Sequence, residues 1–152
     1  MNPARRIESA ILAQTRQALR TLLAVPAARA GGLARVEEVA IPGPAGPLRA
    51  RYYEAKNPTD APLIVYFHGG GFIACDIDTH DSICSWLASA SLGRVLSVDY
   101  RLAPETPFPG QMEDARAACA WALQNAQRFG AVARFLGRVR FPARVRDAKR
   151  YA

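Results

Sequence analysis

Four consecutive residues, His68-Gly69-Gly70-Gly71, carry the sharpest chemical signal in this 152-residue sequence. Three glycines in a row strip every Cβ from one stretch of backbone, so peptide N–H groups can approach a ligand closely. Adjacent amides aimed at one point make an anion site. In acyl transfer that anion is the tetrahedral oxyanion, and losing one donor typically costs about 2.7–4 kcal/mol of transition-state stabilisation. Taken alone, the glycines fit a plain flexible turn as well as they fit such a site. They do not form a Gly-x-Gly-x-x-Gly fingerprint, and no Gly-Lys-Ser/Thr follows, which speaks against a nucleotide phosphate loop. His80 and Cys84 stand four apart, with Cys75 and His68 nearby, but neither CxxC nor HxxxH spacing is present. A buried thiol and a helix-entry histidine fit better than a metal site, and no metal or cofactor is expected.

The surrounding sequence must position this loop. Leu63-Ile64-Val65-Tyr66-Phe67 is a continuous apolar run ending at His68, which predicts a strand buried on both faces in a parallel sheet. Thr79 or Asp78 can cap a helix running to about Leu92, with Ile83, Trp86, Leu87 and Ala90 on its apolar stripe. Val95–Val98 reads as a second buried strand, and Gln111 to Phe129 as a helix with Met112, Ala115, Ala118 or Cys119 and Ala122 inward. Gly130 would stop it. Upstream, Ile7, Ile11, Ala18 and Leu22 recur at helical spacing, and Pro26 with Gly31-Gly32 ends that helix. Arg35–Ile41 and Leu48–Glu54 are strand candidates joined by the turn-rich segment Pro42–Pro47. Strand and helix alternating in this way predict an α/β architecture with a mostly parallel sheet.

With its neighbours, the loop resembles the hormone-sensitive-lipase-like group of α/β-hydrolases, the esterases and lipases whose oxyanion loop is written HGGG. Leu63–Phe72 is similar to the third strand and its loop, and Asp76-Ile77-Asp78-Thr79-His80-Asp81 to the entry of the next helix. Val98-Asp99-Tyr100-Arg101-Leu102-Ala103-Pro104-Glu105 with Pro107-Phe108-Pro109 is similar to the second signature block, and Asp114–Trp121 to the helix after it. The resemblance covers about residues 35–130. It implies oxyanion-hole amides from Gly69 and Gly70, a close turn at Gly71 and loop orientation by His68. Asp99, Arg101 and Glu105 read as an ion-pair and hydrogen-bond scaffold. The domain reading that follows is an amino-terminal helical, cap-like segment (1–32), the amino-terminal half of an α/β-hydrolase domain (33–130) and a basic tail that does not match (131–152).

The resemblance also implies a serine nucleophile in Gly-x-Ser-x-Gly, followed by an acid and a histidine base. No Gly-x-Ser occurs in the sequence, and all six serines precede Tyr100. The two histidines, His68 and His80, stand at the loop and the helix entry. The expectation is a carboxylic ester hydrolase of the serine acyl-enzyme type that lacks its triad in this chain and is inactive as given. A truncation or frameshift near residue 131 is expected. The Arg-rich tail binding nucleic acid is the alternative reading.

Charge supports that division. Residues 1–130 carry 13 basic and 12 acidic side chains, whereas Ala131–Ala152 carry seven basic and one acidic, so +6 of the net +7 belongs to the tail. Phe135, Phe141 and Tyr151 are the residues that could stack on bases there. No apolar run is long enough to span a membrane, and three cysteines do not make a disulfide framework. The expected location is cytoplasmic and the expected ligand of the full-length relative is a small-molecule ester. Without a partner strand, Leu63–Phe67 would form an apolar sheet edge, so self-association or aggregation is expected.

Overall fold

The prolines and glycines of Pro42–Pro47 make a two-residue hairpin, with Pro42 paired to Pro47 and Gly43 to Gly46 across the turn. The hairpin opens the sheet in the computed structural model, which describes residues 3–23, 29–60 and 62–131. The Arg-rich tail beyond Ala131 lies outside the described residues, as do its proposed stacking aromatics. Elements run α1 (Pro3–Leu23), β1 (Leu33–Gly43), β2 (Gly46–Ala55), β3 (Leu63–Phe67), α2 (Asp81–Ala90), β4 (Arg94–Asp99) and α3 (Gly110–Asn125), followed by a 3-10 turn over Ala126–Phe129. Strand order is β1-β2-β4-β3. β3 and β4 are parallel, joined through α2, while β1–β2 and β2–β4 are antiparallel. The α/β class holds, and the described sheet is mixed, because a two-residue turn can only join antiparallel neighbours.

Alternation along the strands builds a core on each sheet face. Ile41, Leu48, Ala50, Tyr52, Leu96 and Val98 meet Ala118 and Ala122 of α3 on one face. Phe129 closes that layer, its ring 4.5 Å from Tyr52. On the other face Tyr53 and Val95 meet Cys84 and Ala88 of α2. Each fully buried large side chain contributes about 1.5–3 kcal/mol by leaving water. Gly130 then takes a left-handed φ of 60° and ends the last helical turn, as its residue type predicts.

Four expectations need correction. β3 is half-buried along its whole length, because it is the outer strand among the described residues; β4, flanked on both sides, is the one buried on both faces. On α2 the inward residues are Cys84, Ser85 and Ala88, while Ile83 and Trp86 are exposed. Small side chains let the helix approach the strands closely, which the bulkier stripe would prevent. Thr79 and Asp78 do not cap this helix either: His80 holds the N-cap position without a side-chain cap bond. On α1, Ile11, Ala18 and Leu22 face outward, and Leu12, Arg16 and Leu19 are the half-buried positions. The side chain of Ile7 lies outside the described residues.

Candidate active site: the glycine loop and its supports

β3 delivers its chain directly into the loop. His68 is buried, its ring stacked on Tyr100 at 4.3 Å and 12°. The Tyr100 hydroxyl donates to the His68 carbonyl at 2.8 Å, and burial pushes that phenol up to about 12. His68 Nδ1 lies 2.8 Å from the Gly69 carbonyl. A carbonyl only accepts, so Nδ1 carries the proton and Nε2 is an acceptor. That Nε2 is buried without a hydrogen bond, 3.9 Å from Asp99 Oδ1, too far for one. Burial lowers the His68 pKa and raises that of Asp99, so both are held toward their neutral forms. His68 is thus held between the Tyr100 side chain and the Gly69 carbonyl.

The loop itself is exposed at Gly69, Gly70 and Gly71. Gly70, Gly71 and Phe72 have φ of 118°, 64° and 67°, a run of left-handed backbone that opens amides outward. The Gly70 carbonyl accepts from the amides of Ile73 (3.2 Å) and Ala74 (3.1 Å). A Cβ at Gly70 would collide with the Ala74 carbonyl. The amides of Gly69, Gly70 and Gly71 donate to no acceptor among the described residues. Three consecutive exposed donors without internal partners can serve an anion or a carbonyl oxygen.

Two long-range supports pin the loop. The Ala103 amide donates to the Phe72 carbonyl at 2.8 Å. Arg16 of α1 donates to the Ile73 carbonyl (2.6 Å), the Ala103 carbonyl (2.8 Å) and both oxygens of Glu105 (2.8 and 2.9 Å). The guanidinium holds the Glu105 carboxyl down at about 2. Arg20, one helical turn on, pairs with Asp76 at 2.6 Å. Asp76 in turn accepts from the amides of Asp78 (3.1 Å) and Thr79 (2.8 Å). Burial alone would raise the Asp76 pKa, but the Thr79 amide and Arg20 outweigh it and lower it.

The scaffold residues of the second signature block are where the sequence puts them. Arg101 grips the fully buried Asp114 through Nε (2.8 Å) and Nη2 (2.7 Å), and its amide donates to the same carboxylate at 3.0 Å. Glu105 anchors α1, and Asp99 faces His68. The network that sequence reading missed centres on Arg51, whose nearly buried guanidinium meets Glu38 (2.6 Å), Asp78 (2.6 Å) and Asp81 (2.7 Å). Its only signal was an arginine on a strand whose neighbours alternate toward a core. The partners, 13 to 30 residues away, leave no local trace. Among the described residues no group of three His, Cys, Asp or Glu is placed to hold a metal ion.

Because Arg16 ties α1 to the loop and Glu105 is well exposed, Arg16→Ala is expected to cost locally about 1–2 kcal/mol. Hydrogen exchange along Pro3–Leu23 and Gly70–Ala74 should then quicken while β2 and β4 keep their protection. Unchanged exchange in α1 would show that the latch holds nothing.

Known proteins match this geometry. The model of the α/β hydrolase fold matches residues 64–137. The esterase LipI of Mycobacterium tuberculosis is 47% identical over 100 residues, covering 64% of this chain and 31% of LipI. An acetyl esterase of Salmonella schwarzengrund is 37% identical over 90 residues, 59% of this chain and 28% of that protein. The solved esterase of Pyrobaculum calidifontis superposes with a TM-score of 0.73 at 40% identity, over 79% of this chain and 39% of that one. The thermophilic carboxylesterase EstE1, from a metagenomic library, gives 0.72 at 39% identity, over 79% and 41%. The chain spans under a third of the curated relatives' length. The chain therefore carries part of the α/β hydrolase fold and, over that part, is similar to esterases of the hormone-sensitive-lipase-like group.

Proposed function

We propose that these residues form the oxyanion-binding part of a carboxylic ester hydrolase acting by a serine acyl-enzyme route. The observation that carries this reading is the run of unpaired, exposed amides at Gly69–Gly71 at the end of β3. Gly69 and Gly70 supply the oxyanion donors, Gly71 permits the turn, and His68 holds the loop from below. α1 acts as a cap segment through Arg16 and Arg20. The substrate class is a small-molecule carboxylic ester, as the names of the relatives suggest. The sequence offers no Gly-x-Ser nucleophile, so the 152 residues stabilise an oxyanion without generating one.

Alone, therefore, the chain is expected to hydrolyse p-nitrophenyl butyrate no faster than its buffer and to form no adduct with a serine-directed phosphonate. Saturable turnover with a stoichiometric phosphonate adduct, read by mass spectrometry, would sink this reading. Two further expectations belong to it. Self-association through β3 is supported by that strand's outer position in the described sheet. A cytoplasmic location is supported by three unpaired thiols, Cys75, Cys84 and Cys119. No described helix is long and apolar enough to cross a membrane.

A further inference from the structure

Besides the loop amides, the fold leaves one hydrogen-bonding group unused beside the first loop glycine, Nε2 of His80. Gly69 has no positive φ, and a Cβ built on it would meet only His80 Nε2, at 3.9 Å. Neither backbone conformation nor crowding by the fold demands glycine there, unlike Gly70. A side chain at 69 would occupy open space in front of an imidazole nitrogen. The His80 ring is half-buried against Tyr66 and His68, with centroids 6.0 and 5.7 Å apart. Its Nδ1 sits 3.1 Å from Thr79 Oγ1, and that hydroxyl donates to the Asp76 carbonyl at 2.8 Å. With the Thr79 proton committed, Nδ1 carries the ring proton and Nε2 is a lone-pair acceptor. It has no partner among the described residues.

We propose that His80 Nε2 and the Gly69–Gly71 amides together bind the carboxyl group of a small carboxylic acid, the product class of ester hydrolysis. The proposal rests on the oxyanion reading and adds a second anchor to it. One carboxyl oxygen accepts from the loop amides. The other shares a proton with Nε2, so a carboxylate arriving from neutral solution brings one solvent proton into the site. Gly69 is glycine because the ligand lies where its side chain would be.

Proton uptake sets the pH dependence. The groups facing the ring are Tyr66 and His68 from β3 and its end, and Asp76 and Thr79 from its own loop. Burial and His68 hold His80 below the ordinary histidine range, against the pull of Asp76. His80 is therefore neutral at pH 7 in the free protein. Bound carboxylate raises its pKa, so affinity climbs as pH falls, by up to about tenfold per pH unit.

The test is butyrate binding by ligand-observed NMR from about pH 5 to about pH 8, with every variant checked for a native melting curve. The wild-type chain should bind butyrate saturably and more tightly in acid. Gly69→Val, whose branched side chain fills the open space, should abolish binding. His80→Phe should weaken it by about fivefold or more, as loss of one hydrogen bond to a charged partner does. His80→Gln should remove the pH dependence, which keeps the test decisive should the phenylalanine variant misfold. Binding that is lost in Gly69→Val but unmoved in both His80 variants and flat with pH overturns the role of His80 and leaves the loop site standing. No saturable binding at any pH overturns both.

Discussion

Gly70→Ala is expected to lower the unfolding free energy by about 2–4 kcal/mol, whereas Gly71→Ala costs about 1 kcal/mol and Gly69→Ala almost nothing. The three positions are adjacent and identical in type, so the spread isolates geometry. At Gly70 φ is 118° and a Cβ would run into the carbonyl of Ala74, the residue whose amide closes the tight turn onto the Gly70 carbonyl. At Gly71 φ is 64° with nothing within 4 Å, leaving only the cost of left-handed backbone. At Gly69 neither penalty applies. Urea unfolding followed by circular dichroism measures all three. Equal losses at 69 and 70 would show that the loop is a generic flexible turn rather than a built one.

Arg51→Ala ranks beside it. The guanidinium is nearly buried and bridges Glu38 of β1, Asp78 of the post-loop segment and Asp81 at the start of α2. Burial disfavours its charge, yet three carboxylates more than offset that and raise its pKa. Removing a buried partner typically costs about 3–5 kcal/mol. Glu38 and Asp78 are about half exposed and can regain water, so the expected loss is about 2–4 kcal/mol. Asp81 also accepts from the Tyr53 hydroxyl at 2.8 Å and pairs with Arg29 at 2.8 Å, which softens its isolation.

The same network predicts acid sensitivity. For Asp78 and Asp81 the pull of burial is outweighed by their arginines, and both carboxyl pKa values are lowered. Their contribution is present above the unfolded carboxylate pKa of about 4 and is lost as pH falls through the lower folded values. Wild-type stability should therefore fall below about pH 4, and Arg51→Ala should flatten that fall. An acid profile identical in both proteins would place the acid-labile pairs elsewhere.

What the sequence disclosed follows the range over which each signal acts. β3 was readable to the residue, since five apolar residues end abruptly at His68 and the glycines. The hairpin was readable from Pro42–Pro47, and the stop of the last helix from Gly130, because turn chemistry is local. Helix faces were not. On α2 the largest hydrophobic residues drew the inward stripe to Ile83 and Trp86, while close packing selected Cys84, Ser85 and Ala88. On α1 the inward face is organised by Arg16, whose partners Ile73, Ala103 and Glu105 lie 57 to 89 residues away. The loop glycines could be named from sequence; the histidine facing them, His80, was read only as a helix-entry residue. Its place beside Gly69 depends on how the Asp76–Thr79 turn folds back toward the loop.

Gly69–Gly71 and their supports are proposed to form a working oxyanion site. Its most direct measurement is ester hydrolysis by a chimera in which residues 35–130 replace the matching stretch of esterase LipI, which supplies the rest of the molecule. A folded chimera should hydrolyse p-nitrophenyl butyrate with kcat within about tenfold of LipI, since a lost oxyanion donor alone costs about 100- to 1,000-fold. A chimera that melts cooperatively, forms the serine phosphonate adduct and still turns over about 1,000-fold more slowly would contradict it.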